Sequence, residues 1–218
     1  TIFPYTTLFR SMEENKIKLS KKDVWKAFLK WTFFSHSNYN YERLQASGIL
    51  QSMSHIPEKL YPGNKEEQKK FMQRHMSFYN TEPHFGGIIN GMVLAMEEER
   101  ANGADIDDDA INNIKTGLMG PMAGIGDTLW QGTLQPIALA VGISIASGGN
   151  VIGALVFALI MAAVMYPIDY FMYMKGYTTG KAGVEAILSG GKMKQLIQAA
   201  SIMGATVLGS LTANYVSA

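Results

Sequence analysis

Charged side chains are almost missing from the C-terminal half of the chain. Residues 128–168 contain no Asp, Glu, Lys, Arg or His, and the turn sequence SGGN divides this stretch at 147–150. The apolar run 151–168, with its flanking residues, is long enough to cross a membrane. The run 134–147 is short for a span and favours a re-entrant or buried segment. A further uncharged stretch, 195–218, supports the prediction of membrane-embedded helices in this half.

A helix with a capping box opens the N-terminal half. The sequence SKKD at 20–23 is such a box, because its first and last side chains can each bond the backbone of the other. The apolar residues behind it recur at the spacing of one helix face: Val24, Ala27, Phe28 and Trp31. The lysines and aromatic residues around this face suit a helix in a membrane interface and, equally, a helix docked on the protein.

The sequence KEEQKKFMQRHMSFYN predicts a polar helix, and TEP at 81–83 opens the next one. Residues 85–96 are uncharged, and Gly87 and Gly91 form a GxxxG pair, which predicts the close approach of another helix. We interpret the charged residues 97–100 as a solvated helix end. The acidic run 105–109 favours helix capping in water, since it lacks the glycine and glutamate of a calcium-binding loop.

Composition narrows the classes of function. The formal net charge is +1, so no bulk field attracts nucleic acid, and the absence of cysteine excludes disulfides and thiolate chemistry. The four histidines form no i, i+4 pair, so no metal or other cofactor is predicted. Residues 1–116 carry 30 of the 37 Lys, Arg, Asp and Glu residues. We predict an all-α integral membrane protein with broken or re-entrant helices and a more polar helical N-terminal half.

The first eleven residues, TIFPYTTLFRS, need separate treatment. Apart from Ile2 they resemble the translation of a sequencing adapter, and we interpret them as an artefact; an ordinary N-terminal strand is the alternative. The predicted domain organisation is then a single membrane domain over residues 12–218. Polar and interfacial helices occupy 20–116, and membrane-embedded segments occupy 117–218.

The segment KTGLMGPMAGIGDTLWQGTLQPI, residues 115–137, combines five glycines with two prolines. These residues disfavour a regular helix. In a membrane, broken backbone survives only inside protein or beside a wet cavity, and transporters build substrate sites in this way. A tight turn between packed helices is the alternative. Asp169, at the end of the apolar run 151–168, is interpreted as reaching the lipid headgroups, with a functional intramembrane acid as its alternative.

Motifs spread along most of the chain carry a family resemblance. They are NYERLQASG, LYPGNKEEQKKFMQRHMSFYNTEP, AMEEERANGADIDDDAINNIKTGLMGPMAGIGDT, QGTLQPI and AASIMG. The sequence over residues 21–216 resembles the IID subunit of the bacterial phosphoenolpyruvate-dependent sugar phosphotransferase system, in its mannose/fructose/sorbose family. That family continues with further hydrophobic sequence, so the resemblance implies that a C-terminal part is missing here.

The resemblance also implies a function. A IID subunit pairs with a IIC subunit in the bacterial cytoplasmic (inner) membrane as a multi-pass protein, and together they bind and translocate a hexose. A IIB or IIAB phosphocarrier protein then phosphorylates the sugar on the cytoplasmic side, and no catalytic or phosphorylated residue is expected in this chain. The family further implies a higher oligomer of IIC–IID pairs. A membrane scaffold or receptor that only holds IIC or an external ligand is the alternative.

Sugar hydroxyls need carboxylate and amide partners, and the apolar face of a sugar packs on aromatic rings. Two sets of residues offer this combination and are the candidate substrate-binding residues. The first lies beside Tyr39 and Tyr41: Asn38, Asn40, Glu42 and Gln45. The second lies in the glycine-rich segment: Asp127, Trp130 and Gln131. For each set a helix cap or a buried polar partner holding IIC is the alternative.

The backbone of the glycine-rich segment supplies a further group of candidates. We predict that they act as a hinge or as lining of the sugar path: Gly120, Pro121, Gly124 and Gly126. The spacing lacks the terminal GK[ST] of a phosphate-binding loop, so phosphate binding is not predicted there.

Overall fold

The computed structural model describes residues 16–189 together with 202 and 206. The predicted adapter sequence and most of the stretch 195–218 lie outside these residues. The helices are α1 (Lys21–Phe34), α2 (Ala46–Met53), α3 (Pro57–Leu60), α4 (Lys65–Arg74), α5 (Pro83–Ala101), α6 (Asp108–Leu129), a π-helical turn (Trp130–Leu134), α7 (Gln135–Ala146) and α8 (Ile152–Ser189). Extended backbone in this part is limited to isolated bridges from Leu44 to Asn40 and Tyr79. The all-α prediction is confirmed.

Helix α1 begins at the predicted capping box. The Ser20 side chain accepts from the Asp23 backbone N–H, and the Asp23 side chain accepts from the Ser20 backbone N–H. The buried face of α1 is the predicted one: Val24, Ala27, Phe28 and Trp31. Trp31 Nε1 also donates to the carbonyl of Pro83 at 2.9 Å. This helix is therefore docked on the start of α5.

Helix α5 is the centre of the fold. Every residue from 85 to 97 is buried, and α8 crosses it closely. At Gly91 a Cβ atom would lie 2.7 Å from the Tyr177 backbone nitrogen, and at Gly176 it would lie 2.8 Å from the Ile88 carbonyl carbon. Contacts this short leave no room for a side chain, so the predicted close approach at Gly91 is confirmed.

A buried charge cluster ties the polar half to α5. Arg74, at the end of α4, donates from Nε and Nη2 to the two oxygens of Glu97 at 2.7 and 3.0 Å. Both side chains are fully buried, and His75 Nε2 lies 2.8 Å from Glu97 Oε1. The prediction of a solvated helix end is therefore wrong for Glu97, because partners from another helix remove its need for water. Capping by the acidic run is confirmed at Asp107, which accepts from the Ala110 N–H at 2.7 Å.

The glycine-rich segment is α-helical as far as Leu129, so its earlier glycines and Pro121 do not break the helix. Pro121 lies inside α6, and the irregularity comes later, as the π-helical turn at Trp130–Leu134. Helix α7 follows that turn without a loop. The run 134–147 is thus the end of a continuous segment, Asp108–Ala146, and the expectation of a separate re-entrant piece is corrected. A helix tolerates these glycines because each costs only about 1 kcal/mol relative to alanine.

Within the described part of the chain, two segments are long and apolar enough to cross a membrane: Asp108–Ala146 and Ile152–Gly180. Only 17% and 11% of their most apolar windows are buried within the described protein, whereas the core helix of a soluble protein would be mostly buried. The predicted apolar runs 134–147 and 151–168 are therefore present as helices with exposed apolar surface. Helix α8 contains a second irregularity at Gly180, whose φ of 56° and ψ of −160° are not helical. The broken helices of the prediction are these two irregularities.

Candidate functional site

A polar cavity opens where the end of α1, the start of α5 and the π turn meet. Its volume is about 430 Å³, within the range of small-ligand sites. The residues that line it come from stretches far apart in the chain. Those with polar or aromatic side chains are Thr32, Ser35, His36, Gln45, Asn80, Thr81, Glu82, His84, Asp127, Trp130 and Gln131.

The second predicted set lies together in this polar cavity. Spacings of three and four residues bring Asp127, Trp130 and Gln131 to one side of the helix. Gln131 Nε2 lies 3.5 Å from Asp127 Oδ1, and the Trp130 ring stacks on the His84 ring with centroids 4.8 Å apart and planes at 27°. Trp130 begins the π turn, a feature frequent at functional sites. The set therefore offers a carboxylate, a carboxamide and a flat ring to one ligand.

Gln45 is the member of the first set that reaches the polar cavity. Its Oε1 accepts from the Thr81 N–H and its Nε2 donates to the Thr81 carbonyl, both at 2.9 Å. Gln45 Nε2 also lies 3.2 Å from His36 Nε2. Because the amide nitrogen donates, His36 Nε2 accepts, and the neutral ring carries its proton on Nδ1 beside Ser35 Oγ. Burial lowers the pKa of His36, which favours this neutral form at pH 7.

Glu82 forms the cavity wall between α5 and α6. The residue is 4% exposed and caps α5, with Oε2 accepting from the Phe85 N–H at 2.9 Å. Its Oε1 contacts His84 Nδ1. A Cβ atom at Gly126 would lie 2.6 Å from both Cβ and Cγ of Glu82. A glycine at 126 therefore lets α6 pass directly over the carboxylate without displacing it.

Asp169 lies behind the polar cavity and not at the lipid headgroups, so that interpretation is corrected. It is 1% exposed, and its Oδ2 lies 2.5 Å from the hydroxyl of Thr32, which lines the cavity. Its Oδ1 has no hydrogen-bond partner among the described residues and faces Gly87, where a Cβ atom would lie 3.1 Å away. The acid is buried because α1 and α5 cover this side of α8.

Three members of the first set lie outside the polar cavity, in the exposed loop between α1 and α2. Asn38 Nδ2 donates to Gln51 Oε1 at 2.9 Å, and Asn40 Oδ1 accepts from the Arg43 N–H at 2.9 Å. The Glu42 side chain is 77% exposed and pairs with Arg43 at 3.1 Å. These contacts are hydrogen bonds within the loop or to Gln51 and a surface ion pair. The cavity gives their predicted sugar contact no support.

The remaining backbone candidates lie on an exposed side of α6. Gly120, Pro121 and Gly124 are exposed, and nothing in the described structure lies within 4 Å of a Cβ atom built at either glycine. Packing inside this chain therefore does not require glycine at 120 or 124. Gly126, in contrast, is buried against Glu82.

The comparison with known families agrees with the resemblance found in the sequence. Residues 18–218 match the family profile described as "EIID-AGA: PTS system mannose/fructose/sorbose family IID component". The chain belongs to this family. As a IID component of a mannose-family permease of the phosphotransferase system (PTS), it takes part in sugar transport, and such components are membrane proteins.

Several IID relatives are similar over most of the chain. The mannose-specific EIID component of Escherichia coli (strain K12) is 42% identical over 194 residues, which cover 89% of this chain and 68% of that protein. The fructose permease IID component of Bacillus subtilis (strain 168) is 38% identical, with 94% and 73% covered. The sorbose-specific EIID component of Klebsiella pneumoniae is 39% identical, also with 94% and 73% covered.

Solved structures similar to the IID chain include the following two. One is a cryo-EM structure of the mannose transporter ManYZ in complex with microcin E492. It has a TM-score of 0.72 at 41% identity and covers 89% of this chain and 70% of that chain. The other, described as a membrane protein, has a TM-score of 0.82 at 42% identity with the same coverage. The helical membrane architecture is therefore shared with experimentally determined relatives.

Three residues that line the polar cavity were not predicted as site residues from the sequence of the IID chain: His36, Glu82 and His84. Asp169, behind the cavity, was considered as a functional acid only as an alternative. Glu82 carried one usable signal, since it precedes Pro83 at a helix start, a position typical of an N-cap. Among the described residues no group of three or more histidines and acids is placed to hold a metal ion.

Proposed function

We propose that this IID chain pairs with a IIC subunit in the bacterial cytoplasmic membrane and lines the path of a hexose. A IIB or IIAB protein then phosphorylates the sugar on the cytoplasmic side. The observation that carries the proposal is the polar cavity, in which Asp127, Trp130 and Gln131 meet Glu82 and His84 at the π turn of a membrane helix. The two candidate spans among the described residues support a multi-pass topology.

The cavity chemistry suits a sugar. Asp127 and Gln131 are exposed on the cavity side and offer acceptors and a donor to sugar hydroxyls. The Trp130 ring, held by its stack on His84, offers a flat surface to the apolar face of a pyranose. Gln45 and His36 also line the cavity, but their amide and ring nitrogens already bond within the protein. The role proposed for the chain is binding and translocation, with the phosphate carried by the IIB partner.

Pairing with IIC is supported by the outer surface of α6. Gly117, Gly120 and Gly124 follow one another at helical spacing with open space beside them, and small residues of this kind let a second membrane helix approach closely. This surface leads along α6 to Asp127, at the polar cavity. We propose that IIC covers it and completes the sugar path, and that IIC–IID pairs assemble into a higher oligomer.

The test is reconstitution of the chain with its cognate IIC and IIB in vesicles, with uptake of labelled mannose, fructose and sorbose measured in parallel. Asp127→Asn is expected to reduce uptake while IIC still co-purifies with the chain. Glu42→Gln is the matched control, because it makes the same chemical change outside the cavity. A scaffold or receptor role predicts lost co-purification or no effect for Asp127→Asn. Undiminished uptake without this chain would refute the transport role.

A further inference from the structure

A groove of aromatic side chains lies between α1 and α8 on the outside of the protein and shares Thr32 with the polar cavity. It has a volume of about 230 Å³ and is lined by Trp25, Phe28, Leu29, Phe33, Tyr166 and Tyr170, with Thr32 at its floor. The Trp25 and Tyr170 rings are 5.3 Å apart, and the Phe33 and Tyr166 rings are 5.8 Å apart. Four of these rings are 45–59% exposed: Trp25, Phe33, Tyr166 and Tyr170. We call this feature the aromatic groove.

Unpaired lysines flank one end of the aromatic groove. Lys22 lies three residues before Trp25, and Lys26 lies three residues before Leu29, so each lysine neighbours a groove residue on the helix surface. Both lysines are exposed, and neither forms an ion pair with a carboxylate of the described residues. Positive charge at this end is therefore available to an anion.

The groove has a direction relative to the membrane helix. Trp25 meets Tyr170 while Phe33 meets Tyr166, so α1 runs antiparallel to α8. The α8 sequence before Tyr166 is apolar, whereas Lys175 follows Tyr170. The lysine end of the groove therefore points toward the polar end of the span, and the Phe33 end points toward the hydrocarbon. Aromatic residues of this kind are typical of the membrane–water interface.

We propose that the aromatic groove binds an anionic phospholipid of the surrounding membrane, with one acyl chain against the rings and its phosphate at Lys22 and Lys26. The distance along α1 from Trp25 to Phe33 is about 12 Å at 1.5 Å per residue. That length matches most of one leaflet of a hydrocarbon core about 30 Å thick. Apolar walls with cations at one end complement an amphiphile and do not complement a neutral sugar.

The bound lipid would contact both α1 and α8 and so stabilise the packing of one helix on the other. Thr32 belongs both to the floor of the groove and to the lining of the polar cavity. Ser35 and His36 follow at the end of α1 and also line the cavity. An occupied groove would therefore steady one wall of the polar cavity.

The test uses quenching of tryptophan fluorescence in vesicles that hold the purified chain. Phosphatidylglycerol and phosphatidylcholine, each brominated near the carbonyl end of its acyl chains, are titrated separately. We expect half-maximal quenching at a mole fraction of brominated phosphatidylglycerol at least about fivefold lower than that of brominated phosphatidylcholine. A fivefold difference corresponds to about 1 kcal/mol, the attraction of roughly one lysine to an anionic lipid surface. Trp25→Phe is expected to remove the quenched component of the fluorescence, because Trp31 is buried and Trp130 lies in the polar cavity. The phenylalanine ring is expected to keep the groove intact.

Two charge-reversal variants distinguish lipid binding in the aromatic groove from a general effect of the net charge of the protein. Lys26→Glu is expected to abolish the preference for phosphatidylglycerol while quenching by phosphatidylcholine persists. Lys69→Glu changes the net charge equally on the exposed side of α4 and is expected to keep the preference. Equal quenching of the wild type by both lipids would overturn the proposal. Quenching by neither lipid would also overturn it, since it would mean that a protein surface covers Trp25.

Discussion

Arg74 and Glu97 form a fully buried ion pair with two hydrogen bonds, at 2.7 and 3.0 Å, between α4 and α5. Arg74 also donates to Asp108 at 2.7 Å from its third nitrogen, and Lys115 donates to the Arg74 carbonyl at 3.0 Å. One guanidinium therefore joins the ends of three helices, α4, α5 and α6. A buried ion pair of this kind matters for stability mainly because losing one partner would leave the other charge buried and uncompensated, which is costly.

Replacing Glu97 with Gln should destabilise the protein strongly, since Arg74 would keep its charge without its buried partner. We expect a loss of about 3–5 kcal/mol in the free energy of unfolding. Thermal unfolding in detergent, followed by circular dichroism, measures the effect. Glu42→Gln makes the same change at an exposed pair and should leave the midpoint unchanged within error. Equal midpoints for the two variants would contradict the structural role of the cluster.

Acid should destabilise the protein through the same cluster. Burial lowers the pKa of His75 below its ordinary value of 6.5, so the unfolded chain binds this proton more readily than the folded one. Burial alone would raise the pKa of Glu97, but its bonds to His75 and Arg74 outweigh burial and lower it below 4.5. Stability should fall as the pH drops below 6.5 and fall further below 4.5.

The measurement is the unfolding midpoint as a function of pH, in detergent at constant ionic strength. His75→Gln should flatten the slope between about pH 7 and pH 5, whatever its absolute midpoint, because the titrating ring is gone. An unfolding midpoint that rises as the pH falls through this range would show that folding does not lower the pKa of His75.

Trp130→Ala should weaken sugar uptake by removing the flat surface of the polar cavity. We expect an increase in KM of about tenfold, equivalent to about 1.4 kcal/mol, with a smaller effect for Trp130→Phe, which keeps a ring. Uptake kinetics in vesicles with the cognate IIC and IIB provide the measurement. Tyr41→Ala is the control, since Tyr41 belongs to the loop of the first predicted set and is fully exposed. A larger effect at Tyr41 would move the sugar site to that loop.

Gly91→Ala should destabilise the crossing of α5 and α8 by about 1–3 kcal/mol, because the added methyl group collides with the α8 backbone. Gly117→Ala places the same methyl group in open space and should be neutral or slightly stabilising, since alanine favours a helix more than glycine does. Chemical denaturation of both variants in detergent makes the comparison. Equal stabilities would show that the helices do not approach as closely as described.

The elements that sequence reasoning predicted well are those with local signals. The capping box at Ser20 and the buried face of α1 depend on spacings within a few turns of one helix. The glycine-rich segment shows the limit of such reasoning. Its glycines argue against a regular helix, yet α6 stays helical through Gly117, Gly120 and Gly124. The irregularity lies at the π-helical turn that contains Gly132 and is followed by Pro136, so the sequence predicts a break in this segment but not its position.

The sequence by itself determined the helical class, the apolar membrane segments and the family, because periodicity, charge distribution and motifs are properties of consecutive residues. Only the tertiary structure decided which polar side chains meet. Glu97 is buried by Arg74 from 23 residues away, and Asp169 bonds Thr32 across 137 residues. Burial and electrostatics at such positions depend on neighbours that folding brings together from distant parts of the chain. For the same reason Asp127 and Trp130 face Glu82 and His84 in one cavity, while Glu42 remains in solvent.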